Sequence, residues 1–158
     1  AVPPPAGARI VDISPSSGNG GGAAGHAQAH AKPVTGVAAV RAAVPFTLAA
    51  PDQLAGLPRH QAWLAGHGSD PAAVVTYGRG LGGILVVERQ ARAGEQPLGS
   101  SGGRGSLRLP QININGATGN ELATELGTVL TFQRGGVDYV VAGSIPAQSA
   151  ETAARQLG

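Results

Sequence analysis

The chain contains no cysteine, so neither a disulfide nor thiolate chemistry can contribute, an absence compatible with any redox compartment. It contains no methionine either. It therefore reads as a processed form or a fragment, with any signal peptide or lipid-anchor cysteine upstream. Aromatic residues are 3% of the 158 positions, which leaves a core to be built largely from Val, Leu, Ile and Ala. No apolar run approaches the roughly 20 residues that a helix needs to cross a bilayer. Charge is sparse too: the formal net charge is +2, and ten arginines and one lysine (Lys32) are scattered along the chain. Nucleic-acid binding needs a concentrated basic footprint, with aromatic platforms where single strands are held. Neither is present, so nucleic acid is not expected as a partner.

What is plentiful is glycine and proline, 26 and 12 residues, together about a quarter of the chain. Their uneven placement implies long loops rather than global disorder. Residues 1–33 read as a short β-like run, Arg9 to Ile13, followed by a Gly/Ser/Pro-rich linker. Residues 34–158 read as one domain; a chain of 158 residues suits one domain that buries roughly 70% of its unfolded surface. Ser14 to Lys32 and Ala91 to Ser106 are expected to be the least packed segments.

Within the domain, Val37, Val40 and Val44 have helical spacing, and Pro45 ends that short helix. Phe46 and Leu48 suggest a brief extended segment, Pro51-Asp52 a turn, and RHQAWLAG a strand with Trp63 on one face. Val74–Tyr77 and Ile84–Arg89 form a hairpin across a Gly-rich connection, and Leu107–Asn115 is a further strand. GATGNELATELG is ambiguous. Thr118 and Glu121 have capping-box spacing and Leu122 and Leu126 share a helical face, which supports one or two helical turns.

Thr128–Arg134 and Val137–Gly143 flank Gly135-Gly136, a pair suited to a type I′ turn. Pro146 is placed to open a helix with an apolar stripe of Ala150, Ala154 and Leu157, and Gly158 could accept its end. The expected fold is α+β: an antiparallel sheet of about five to seven strands packed against a C-terminal helix, with long Gly-rich loops. Strand parity assigns Ile112, Ile114, Leu130, Phe132, Val137, Tyr139 and Val141 to its core.

Candidate chemistry is thin. Gly78-Arg79-Gly80-Leu81-Gly82-Gly83 satisfies G-x-G-x-x-G, but a dinucleotide site needs a helix next, and ILVVERQ is a strand pattern. His26 and His30 are four apart in a glycine-rich linker with no Cys or carboxylate to complete a metal site, and His60 and His67 are isolated. Ser69-Asp70 beside His67, and Ser144 after Gly143, form no nucleophile elbow. Asp52, Asp70, Glu88, Glu95 and Asp138 show no pairing pattern and read as surface charges. No catalytic, cofactor-binding or metal-binding residue is assigned, no enzyme is expected, and no ligand-binding residue can be singled out.

From about Val34 the order of signals is VPFTLAAPDQLAGLPR, then AAVVTYGRGLGGILVVE, then ININGATGNELATELGTVLTFQRGGVDYVVAGS, and last PAQSAETAARQL. Over about four fifths of the chain this order resembles the C-terminal part of bacterial envelope proteins. These are the proteins related to lipoprotein-localisation carriers and periplasmic anti-sigma-factor regulators, particularly the outer-membrane lipoprotein-sorting-like branch. The motifs shared are turns and strand alternation. The resemblance implies an extracytoplasmic protein, in the envelope or secreted, with a sheet curved around helices. It implies a hydrophobic surface that receives a lipid or lipoprotein acyl chain or an envelope protein, and it implies neither a catalytic set nor a cofactor. The larger N-terminal part that supplies most of the half-barrel in those proteins is not present in this sequence. The alternative is a structural or self-assembling protein without a small-molecule ligand, associating through sheet edges or Gly-rich segments. Oligomeric state stays open.

Overall fold

The computed structural model describes residues 33–66, 68–93 and 109–157. The linker, the strand at Arg9 to Ile13 and nearly all of Ala91 to Ser106 lie outside the described residues. So do His26, His30, His67, Glu95 and Gly158.

The valine spacing produces helix α1 (Val37–Ala43), which buries Val40 and ends just before Pro45. Ahead of it the backbone runs beside a long strand: Gly36 N–H donates to Ala62 O at 2.8 Å, and Leu64 N–H donates to Val34 O at 2.9 Å. That strand, β2 (Leu57–Ala65), is preceded by β1 (Gln53–Leu54). The chain therefore reverses at Ala55-Gly56 (φ 47° and 80°), not at Pro51-Asp52 as the sequence suggests. Strands β3 (Ala72–Tyr77) and β4 (Ile84–Gln90) form the expected hairpin, closed by Tyr77 opposite Ile84.

β5 (Gln111–Ile114) and β6 (Ala117–Thr124) form a second hairpin, so the helical turns read into GATGNELATELG are absent and a strand stands there. The physical reason is Asn115-Gly116, whose φ values of 48° and 91° make a tight hairpin turn and send the chain straight back. The Asn113 side chain accepts from Gly116 N–H at 3.0 Å, and Asn115 Nδ2 donates to Arg155 O at 2.8 Å. Leu122 and Leu126 consequently share no helical face. Gly116→Ala should cost about 1–2 kcal/mol, the penalty for an L residue held in the left-handed region. No atom lies within 4 Å of the added Cβ, so backbone strain alone sets that cost; urea denaturation measures it.

β7 (Gly127–Arg134) and β8 (Val137–Gly143) join through Gly135-Gly136 at φ 57° and 77°, as a type I′ turn requires. Helix α2 (Ala147–Leu157) follows. Pro146 stands one residue before it rather than inside it, and its carbonyl accepts from Ala150 N–H at 3.2 Å.

Among the described residues the strands number eight rather than five to seven, the sequence reading having missed β1 and β6. All are antiparallel, in the order β1-β2-β3-β4-β8-β7-β6-β5. Two meanders, β1–β4 and β5–β8, thus meet where β4 pairs with β8, and the sheet curls into a half-barrel. One face carries the core: Val75, Tyr77, Val86, Leu130, Phe132 and Val141 are fully buried, with Ala150, Ala153 and Ala154 of α2 laid against them. Of the seven core residues named from parity six are buried, and Ile112, near the β5 edge, is half-buried. Phe132 and Tyr139, directly opposite each other, stack with centroids 4.7 Å apart.

Candidate functional site

Strand alternation sends every second side chain to the opposite face. There the registers align one row across six strands: Gln61, Thr76, Leu85, Ala142, Val129 and Leu122. The 78–83 connection, with a 3-10 turn at Gly80–Gly82, rises at one side of this row and carries Leu81. The tight β6–β7 turn leaves the sheet at the same end of the strands, across β8 from β4, and carries Leu126. Between them lies an open groove of about 870 Å³, floored by Leu85, Ala142, Val129 and Gly143.

Exposure is what sets this groove apart. Leu81 and Leu126 are each 87% exposed, and Leu85, Val129 and Leu122 follow at 36–42%. These five are all the exposed large hydrophobic side chains among the described residues. Four line the groove, and the fifth, Leu122, is the next residue in the row. Isolated apolar side chains on a surface are ordinary, but a contiguous cluster marks a binding surface.

The polar lining is partly committed already. Thr128 Oγ1 donates to Ile145 O at 2.8 Å, and Thr124 Oγ1 donates to Gly127 O at 3.0 Å, fixing the turn that presents Leu126. Gly127 is needed there, because a Cβ at that position would overlap the Gly143 carbonyl and lie 2.9 Å from Ser144 Cα, at a φ of 149°. His60 and Arg79 also line the groove, both exposed. No hydrogen bond or ion pair engages either side chain among the described residues.

The glycine-rich motif therefore serves as a hairpin connection and one wall of the groove, with β4 and no helix after it. Of the other residues singled out from sequence, Ser144 and His60 reach the groove. Asp70 pairs with Arg92 at 3.2 Å, and Asp52 pairs with Arg59 at 2.8 Å. Among the described residues, no three His, Cys, Asp or Glu side chains gather as a metal site would require.

Two carboxylates read as surface charges are buried. Asp138 lies on the groove's face of the sheet but is only 2% exposed, held by Arg89 at 3.3 Å and by Gln133 Nε2 at 3.0 Å. Glu88 points the other way, into the core, at 0% exposure. Its Oε2 accepts from Ala49 N–H at 2.8 Å, while Oε1 and the nearby Tyr77 hydroxyl have no hydrogen-bond partner among the described residues. Burial pushes the Glu88 carboxyl up to about 7, against the bond from Ala49, which favours the charged form. Burial, and then the charge of Glu88, raise both Tyr77 and Tyr139. A shifted acid of this kind is characteristic of active sites, yet Glu88 is sealed from solvent and does not line the groove.

Sequence reading missed the leucines because exposure is invisible in a hydropathy pattern. Leu81 looks like a turn residue, and Leu122 and Leu126 look like one helical face. No protein-family model matches the chain, and no curated protein or solved structure is significantly similar to it.

Proposed function

We propose that this chain is a non-catalytic, extracytoplasmic binding module whose groove between the 78–83 connection and the β6–β7 turn takes a hydrophobic ligand. The observation that carries this reading is the gathering of four of the five exposed large hydrophobics among the described residues at one open groove, with the fifth next in the same row. Burying such side chains against an apolar ligand yields about 25 cal/mol for each Å² removed from water. The resemblance to bacterial envelope proteins supports the extracytoplasmic placement and an acyl chain or envelope protein as the ligand. Against catalysis stands the composition of the groove, whose described lining offers Ser144 just past β8 and His60 within β2, with no carboxylate among them to orient a base.

Binding of an environment-sensitive fluorescent fatty acid tests the reading. Saturable uptake by the wild-type chain is expected. Leu81→Asp with Leu126→Asp, both at exposed positions, should weaken it by roughly tenfold or more, since each buried leucine is worth about 1.5–3 kcal/mol. Unchanged uptake in that variant would remove the groove from consideration.

The self-assembly alternative draws on one feature. Residues 122–124 of β6 extend beyond β5, so among the described residues they have no strand on their outer side. A concentration-independent oligomer that ignores fatty acid in solution would favour that alternative.

A further inference from the structure

The groove has two chemically different ends, and the strand order fixes which is which. His60 belongs to β2, and Arg79 lies two residues beyond the last residue of β3. Leu126 and Val129 belong to the β6–β7 turn and β7, on the far side of β4 and β8. From β2 to β7 is four steps between strands, about 19 Å at the usual spacing, the scale of a long alkyl chain. Among the described residues, the lining contains Arg79 as its one permanent charge and no Asp or Glu. Asp52, at the β2 end of the sheet, is already taken by Arg59. An alkyl chain alone would leave the Arg79 guanidinium unused, and a cationic amphiphile would meet it with repulsion.

The geometry points to a single-chain carboxylate amphiphile, a free long-chain fatty acid, as the ligand, its carboxylate at Arg79 and His60 and its tail over Leu85, Ala142 and Val129 toward Leu126. This rests on the groove being the binding site, and adds to it the class and the direction of the ligand. Arg79 forms a charge-assisted hydrogen bond to the carboxylate, and His60 Nε2 or Nδ1 is placed as a second donor. A guanidinium presents a planar fork that matches a carboxylate's two oxygens.

The test compares palmitate, below its micelle concentration, with the neutral alcohol of the same chain length, each titrated into the full chain, wild type and Arg79→Gln. Arg79 is exposed and, among the described residues, without a side-chain partner, so the variant should fold as the wild type does, and Arg79→Lys, which keeps the charge, serves as the rescue. Wild type should prefer palmitate to the alcohol by roughly tenfold or more, as a charge-assisted bond allows. Arg79→Gln should erase that preference without changing alcohol binding, Arg79→Lys should restore part of it, and added salt should weaken palmitate alone. Equal affinity for acid and alcohol in wild type would overturn the fatty-acid assignment while leaving a hydrophobic groove intact. Binding of neither would overturn both. Binding only to vesicles containing an anionic phospholipid, with no free palmitate bound, would also overturn it and identify a membrane surface instead.

Discussion

Phe132→Ala should lower the unfolding free energy by about 3–5 kcal/mol, the usual cost of emptying a buried aromatic site. Phe132 is fully buried on β7, stacked on Tyr139 across the β7–β8 register, with Gly119 of β6 on its other side and α2 above. The ring cannot be replaced by collapse, because the alanines of α2 already lie against the sheet and the backbone hydrogen bonds fix strand spacing. The lost stack adds about 0.5–1.5 kcal/mol to the loss of buried area. Folded domains are stable by about 5–15 kcal/mol, so this variant should stand near the edge of folding at room temperature. Val129→Ala, one strand position class away but 40% exposed on the groove's face, should cost far less. Urea denaturation of the two variants side by side measures the contrast. Similar small losses in both would mean that Phe132 is not packed in the core, and a larger loss for Val129→Ala would mean that the β7 faces are assigned the wrong way round.

Stability should also fall as pH rises from about 4.5 to 7 and then level off, with Glu88 as the cause. Its carboxyl is held up to about 7 in the folded chain against 4.5 for the free group. The fold therefore favours the protonated form. That contribution is complete below the unfolded value and is lost as pH climbs through the folded one. The difference corresponds to about 3 kcal/mol, and Glu88 is fully buried, so solvent does not screen it. Glu88→Gln keeps a carbonyl oxygen for the Ala49 amide while removing the charge. It should be more stable than wild type at pH 8, by up to about 3 kcal/mol, and should lose most of the slope between pH 4.5 and 7, the remainder coming from Glu121, whose carboxyl is also raised by burial. Denaturation midpoints across that range decide it, and a flat wild-type profile would mean that Glu88 meets a partner that stabilises its charge.

Where local chemistry agreed with the final pairing, the sequence was sufficient. Gly135-Gly136 between two alternating runs gave β7, β8 and their register, and the inward parity of 130, 132, 137, 139 and 141 gave the core. The errors came where two local signals competed. In GATGNELATELG a capping box at Thr118 and Glu121 argued for helix, while Asn115-Gly116 just upstream argued for a hairpin. The hairpin prevails because β7 offers β6 a complete ladder from Gly119 to Thr124, whereas an isolated helix of two turns is marginal. Ala55 was passed over as a turn residue because alanine rarely takes a positive φ, and β1 was lost with it. Glu88 was assigned to the surface on residue type. Only the pairing of Glu88 with Ala73 and Tyr139, both inward-facing, reveals that its strand position is buried. The groove was hidden for a related reason: its exposed hydrophobics come from a connection, a turn and the strands β4 and β7, which only the β4–β8 junction brings close.

The most direct test is an amide-resolved NMR titration of the full chain with palmitate. If the groove is the site, shifts should concentrate at Leu81, Leu85, Leu126, Val129 and Ala142, with Arg79 at one end. Val75, Val86 and Leu130 on the buried face should stay in place. Shifts centred on those buried residues, or none anywhere at saturating palmitate, would contradict it.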